Sequence, residues 1–263
     1  MIYLRECLTE DTPIYVSNGH ESLLSRLHHR NEKLFTKDFN HAEFIGEELC
    51  ILKNIRSAHY FLSGISPHNY RTYIPFREAK QIAYGIGISS QSFLKPKCEY
   101  KSVTQYGLSQ YDPNIFEEML KRANGEKNRE ELCNDMLKLL ALDIYMGQTD
   151  RFAYNYLFEE DKEHNIRLAP IFDFQYSVCP SYISPDAIGY GDLHSFHSIE
   201  DCREFAKKYP KFLEYLASYL DENLLSVSKS AYAKRRMIIP ERSIELFQKF
   251  DHNQKEKIKR IVQ

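Results

Sequence analysis

Residues 128–173 leave the chain little freedom. Asn128 reads as an N-cap and Glu131 as the N3 partner of a capping box, after which Leu132, Met136, Leu140 and Ile144 recur at helical spacing. That stripe must be buried, and Gly147 supplies the stop. The helix therefore runs directly into a polar loop, Gly147-Gln148-Thr149-Asp150-Arg151-Phe152-Ala153-Tyr154-Asn155. Tyr154 to Phe158 then reads as a strand, Glu159 to Lys162 as an acidic turn, and Ile166 to Phe172 as a second strand that delivers Asp173. Helix, loop and hairpin in this order bring Asp150, Asn155 and Asp173 towards one place.

Those side chains suit one chemistry. Phosphoryl transfer needs a carboxylate near the acceptor hydroxyl and oxygen ligands for magnesium, because the work lies in positioning and charge neutralisation. An Asp followed five residues later by Asn has the spacing of a kinase catalytic loop, and an Asp-Phe after the next hairpin is where a second metal-binding carboxylate belongs. Taken singly, each residue is more at home as a turn former, with Asp150 capping, Asn155 closing an Asx turn and Asp173 a loop acid. Their common order and spacing favour the functional reading.

The rest of the chain divides by character. Short β-type runs occupy the first hundred residues: Ile2 to Leu4, Ile14 to Val16, Leu34 to Thr36, and Ala83 to Leu94. One helix interrupts them, capped near Asn40 and carrying Phe44, Ile45, Leu49, Leu52 and Ile55 on one stripe. After Tyr111 the pattern is helical. Asp112-Pro113 reads as cap and N1, Gly125 as a C′ stop, Ser198 with Asp201 as another capping box, and Phe212 to Leu220 and the stretch ending Ile258, Ile261, Val262 as further helices. The expected fold is α+β in two lobes: residues 1–110, a small antiparallel sheet with one main helix, and residues 111–263, a larger helical lobe carrying the loop. The hinge is expected between Gln105 and Asp112.

Composition narrows the partners. Thirty-five Lys and Arg against thirty-seven Asp and Glu give a net charge of −2, so the overall balance does not call for nucleic acid or an anionic membrane. The six cysteines are scattered without a CxxC and read as reduced core thiols. No segment approaches the length of apolar sequence that spans a bilayer, and the start lacks a secretory pattern. A soluble, cytoplasmic chain is expected, with a C-terminal delivery signal beyond what such a reading detects.

The stretch LALDIYMGQTDRFAYNYLF…IRLAPIFDFQYS resembles the catalytic core of HipA-like serine/threonine kinases, distant relatives of phosphoinositide-kinase-like enzymes. Ile88 to Leu94 resembles their S-x-S-F-L segment, and Glu47 to Cys50 their helix motif. The resemblance covers about two hundred residues and matches shorter members without the N-terminal extension. It implies a two-lobed kinase fold using ATP and Mg2+, with Asp150 as catalytic base, Asn155 and Asp173 as metal ligands, Lys37 holding the α and β phosphates, and Glu47 pairing with Lys37. Glu48 rivals Glu47, and Lys33 rivals Lys37. It further implies a protein substrate with a Ser or Thr hydroxyl, and an antitoxin or other regulatory protein as partner. Cytoplasmic action, or delivery into a host cell as an effector, would follow. A lipid or small-molecule kinase and an inactive binding module are the alternatives.

Several residues depart from that pattern. Ser17 to Ser22 is the best candidate phosphate loop, with Ser17 and Gly19 approaching the nucleotide, yet it holds a single glycine. The family's regulation by serine phosphorylation in this loop makes Ser17 and Ser22 candidate self-modification sites. Phe152 stands where relatives have His, so apolar packing is expected in place of a polar brace. Asp143 is expected to be a buried acid bracing the loop, His194 and His197 to serve surface or packing roles, and Lys234-Arg235-Arg236 to be a solvated helix face.

Overall fold

The computed structural model describes residues 13–15, 21–23, 34–38, 41–64, 86–91, 93–109, 112–148, 151–152, 155–174, 177–178, 188, 191, 193–239 and 241–263. In the strands up to residue 91, only Tyr60 and Ser90 have described side chains. By internal contacts the chain forms two compact units, Met1–His41 with Ala58–Phe93, and Ala42–Ser57 with Leu94–Gln263. The second unit thus includes a helix that the sequence groups with residues 1–110.

The first unit is antiparallel. Strands β1 (Pro13–Tyr15) and β2 (Glu21–Leu23) pair as a hairpin. A three-stranded sheet has the order β3 (Leu34–Asp38), β5 (Ile86–Gln91), β4 (Tyr60–Gly64). Lys37 stands opposite Ile88, and Ser63 opposite Gly87. The central strand β5 coincides with the expected run through Ile88, whereas β4 carries no alternation that would have announced it.

The second unit is mainly helical. Helix α1 (His41–Leu52) is buried from Ala42 to Cys50 rather than along one stripe, so Glu43, Glu47 and Glu48 lie inside the protein. A buried carboxylate persists only with hydrogen-bonding or ionic partners. Those partners come from residues after 170, which is why α1 belongs with this unit.

A three-stranded sheet β6 (Glu99–Lys101), β7 (Phe158–Glu160), β8 (Ile166–Leu168) is followed in sequence from β6 by a 3-10 turn, Val103–Tyr106. Glu159 and Glu160, expected in a turn, lie in β7. The turn is made by Asp161, whose carboxylate accepts from the amides of Glu163 and Asn165, both at 2.9 Å. Helices α2 (Ile115–Arg122), α3 (Gly125–Met146), α4 (Ile199–Lys208), α5 (Lys211–Ala217), α6 (Leu224–Lys234) and α7 (Glu241–Val262) complete it.

Three expected helix boundaries are corrected. Asn114 rather than Asp112 caps α2, because Asp112 Oδ1 accepts from the Asn114 amide at 2.8 Å in an Asx turn. Gly125 begins α3 instead of ending α2, and Asn128 lies inside α3. Its side chain is buried and ties the helix to β8, accepting from Ile166 N at 3.0 Å and donating to Ile166 O at 2.8 Å. The stripe Leu132, Met136, Leu140, Ile144 is buried as the spacing requires, each side chain contributing about 1.5–3 kcal/mol. Ser198 Oγ accepts from Asp201 N at 3.1 Å and so caps α4. His194 packs against Phe196 and Phe205, and burial holds its imidazole below the ordinary range. Of the described cysteines, Cys50 and Cys202 are core thiols, but Cys98 and Cys133 are half-buried.

Glu159 is the hub of the small sheet. Its carboxylate accepts from Arg56 at 3.0 Å, Lys95 at 2.9 Å and the Tyr100 hydroxyl at 3.1 Å. Burial pushes this carboxyl up, but Lys95 and Arg56 outweigh it and hold it below the ordinary range. A depressed carboxyl adds stability above its unfolded pKa of about 4.3, and that stability is lost as the pH falls through the folded value. Glu159→Gln is therefore expected to cost about 1–3 kcal/mol at pH 7. The gap from wild type should shrink below about pH 4 in urea titrations run across pH.

Candidate functional site

The loop after α3 is fixed from beneath by one arginine. Gly147 takes a left-handed φ of 59° and turns the chain away, its amide returning to the carbonyls of Asp143 and Ile144. From α7, Gln254 Nε2 donates to Ile144 O at 3.1 Å, and Tyr145 donates to Asp251 at 2.8 Å, so the end of α3 is held rigidly. Arg151 is 1% exposed. Its Nε and Nη2 donate to the Asp143 carboxylate at 3.1 and 3.0 Å. Its Nη1 donates to the carbonyls of Asn155 at 2.9 Å, Phe172 at 2.7 Å and Asp173 at 3.4 Å. Asp143 is thus the expected buried acid, and it acts through Arg151.

This guanidinium joins the loop to the far end of the β7–β8 hairpin, bringing the Asn155 and Asp173 backbones to one nitrogen. Gln148, fully buried, adds a bond from Nε2 to Asp173 O at 2.9 Å. Asp173 adopts φ 62°, a left-handed conformation that costs a non-glycine residue about 1–2 kcal/mol. Such strain persists where the surroundings over-determine it, as two donors and a buried neighbour do here. Asn155 and Asp173 are themselves half-buried, with their carbonyls bound inward.

Helix α1 grips the next residue. Phe174 is buried, its amide donates to Glu43 Oε1 at 3.0 Å, and its ring lies under the Arg151 guanidinium at 5.4 Å. Gly46 is required at this contact, since a Cβ there would overlap the ring at 2.6 Å from Cδ1. Gly191 fills the same role on the loop's other side, where a Cβ would stand 2.8 Å from Arg151 O. A parallel bridge joins Arg151 to Gly191, and Ser195 Oγ donates to Gly191 O at 2.8 Å.

The basic triplet is solvated as expected at Lys234 and Arg236, and Arg235 is the correction, its side chain being drawn inside. Lys234 donates to both oxygens of Glu48 at 2.7 Å, with Ser230 adding a bond at 2.9 Å. Arg235 pairs with Glu47 and lies over the Phe44 ring at 4.0 Å. Both cations are drawn to α1 because it buries acids that must be neutralised. Phe152 is also corrected: it is 42% exposed, and the loop is braced by Arg151 rather than by apolar packing of Phe152.

Asp150, Ser17 and Gly19 lie outside the described residues, as do Lys33 and the side chains of Lys37 and Ser22. Among the described residues no group of three or more His, Cys, Asp and Glu could hold a metal. Asn155 and Asp173 are of the residue types, amide and carboxylate, whose oxygens a hard cation takes when phosphates and water complete its shell. Sequence reading missed Arg151, Gln148, Glu43, Gly46 and Arg235 as parts of this assembly.

No protein-family model matches the sequence, and no curated protein is a significant match to it. Solved structures do match. The chain is similar to the Helicobacter pylori proinflammatory kinase CtkA at 14% identity and TM-score 0.63, over 97% of this chain and 94% of that one. It is also similar to HipA from Shewanella oneidensis MR-1, solved with HipB and operator DNA, at 12% identity and TM-score 0.58. That match covers 96% of this chain and 64% of HipA. The chain therefore shares the fold of these two structures. Among the described residues, no helix is long and apolar enough to cross a membrane.

Proposed function

We propose that this chain is an ATP- and Mg2+-dependent phosphotransferase of the HipA-like kind, acting on a serine or threonine hydroxyl of a protein. The observation that carries the reading is the lock on Asn155 and Asp173, whose carbonyls share one buried guanidinium within a kinase fold. In this reading Asn155 and Asp173 hold the metal, and Asp150 accepts the proton of the attacking hydroxyl. Bound Mg2+ would neutralise charge on the transferring phosphoryl group. Lys37 would hold the α and β phosphates, with Ser17 and Gly19 in the loop above them. Glu47, already paired with Arg235, would orient Lys37 from α1.

The neighbours suggest the setting. HipA was solved with HipB, so a regulatory protein partner of antitoxin type is proposed here, with the chain acting in the cytoplasm. CtkA is described as proinflammatory, which favours an effector delivered to a host cell as the other setting. Self-modification at Ser17 or Ser22 belongs to the same proposal.

The test is incubation of the protein with labelled ATP, Mg2+ and cell lysate, beside Asp173→Ala. Loss of partners outside a metal's ligand set costs about 10–100-fold in affinity, and loss of a ligand should cost at least as much. Asp173→Ala should therefore weaken Mg2+-dependent ATP binding by that factor in calorimetry, and label should reach protein bands only with wild type. Label in lipid or small-molecule fractions alone would replace the protein acceptor, and equal Mg2+-ATP binding by both proteins would overturn the metal assignment.

A further inference from the structure

Helix α1 holds three buried glutamates, each tied to something different. Glu43 accepts from the Phe174 amide, Glu47 pairs with Arg235, and Glu48 pairs with Lys234. Glu43 and Glu47 are one turn apart, so they lie on neighbouring surfaces of the same rod. One end of this chain of contacts is the residue after Asp173, and the other is the C-terminal end of α6.

We propose that Arg235 is a positioning residue for Asp173, acting at a distance through α1. The inference rests on the kinase reading, in which Asp173 binds the metal. Arg235 is itself placed by its own helix, Nη1 donating to Ala231 O at 2.9 Å. Its guanidinium then fixes α1 twice, by the ion pair to Glu47 and by stacking on Phe44, so the helix can neither slide nor turn without breaking both. The fixed helix presents Glu43 to the Phe174 amide and Gly46 to the Phe174 ring. Phe174 in turn follows directly on the strained backbone of Asp173, so its placement constrains that residue from the C-terminal side. A buried ion pair is weak support for stability, since apolar residues of similar volume often do as well, but it suits a contact that sets one register out of several. The Lys234–Glu48 pair is a lesser part, because Lys234 is half exposed.

The experiment compares wild type, Arg235→Met and Arg235→Lys in the full chain. Hydrogen exchange is read at the Phe174 amide, and the Mg2+ concentration for half-saturation is read at fixed ATP. In Arg235→Met, exchange at Phe174 should rise and the Mg2+ requirement should increase, each by roughly 3- to 30-fold, the range that residues remote from a site supply. Exchange in β7 and β8 should stay near wild type. Arg235→Lys keeps the charge but loses the planar stack, so it should shift both readouts in the same direction and by less. If Arg235→Met fails to fold, Arg235→Lys carries the test alone. Unchanged Phe174 exchange and Mg2+ requirement in a folded variant would overturn the proposal, as would uniform acceleration of all amides. Absence of Mg2+-dependent ATP binding in wild type would instead remove the kinase reading, and this inference with it.

Discussion

Asp150→Asn protein is expected to bind Mg2+-ATP with near wild-type affinity and to transfer phosphate about 10²–10⁴-fold more slowly, the usual contribution of a positioned general base. The amide has the carboxylate's shape but cannot take the acceptor's proton. The neighbouring Arg151 is anchored by Asp143 and by three carbonyls, none of which the substitution touches. The loop should therefore keep its form. Initial rates with labelled ATP, set beside calorimetric ATP binding, check both halves. Equal rates for the two proteins would remove Asp150 from the chemistry, and lost binding with lost transfer would assign it to the nucleotide site.

Arg151→Met is expected to be the most destabilising of the substitutions considered. Removing one member of a buried pair leaves the other charge uncompensated and costs about 3–5 kcal/mol. Here Asp143 would be that charge, and the carbonyls of Asn155, Phe172 and Asp173 would lose a common donor. The double variant Asp143→Leu/Arg151→Met separates the two effects. It removes the stranded charge, so urea denaturation should show stability returning towards wild type. It does not replace the donor, so the loop and hairpin stay uncoupled and Mg2+-ATP binding should stay weak. Recovery of both properties would show that the carbonyl bonds do not matter.

Local chemistry made much of the fold legible. The stripe of α3, its stop at Gly147, the Ser198 cap and the hairpin leading to Asp173 follow from spacing within a few residues. Contacts between distant positions were not legible. Arg151 reads as an ordinary surface charge beside Asp150, and nothing local tells that it faces Asp143 and two ends of a hairpin. Arg235 reads as part of a basic run until α1 is known to bury Glu47. Strand β6, Glu-Tyr-Lys, has no apolar alternation, and it pairs because Glu159 gathers Tyr100, Lys95 and Arg56. Asn128 was legible as important but was given the wrong job, since a buried tie to β8 and a cap favour the same residue type.

The second unit is discontinuous in sequence, and this bears on how the chain is made. Helix α1 leaves the ribosome before its partner exists, because Arg235 follows Glu47 by 188 residues. At about 5–20 residues per second, roughly 10–40 s pass before that partner is synthesised. Throughout that interval Phe44, Ile45 and Leu49 have no finished core to enter, and the acids beside them have no cation. The nascent chain therefore carries a sticky, half-solvated helix until Arg235 is made. Yield in a heterologous host should depend on holdase chaperones and on slower, cooler synthesis more than on the stability of the finished protein.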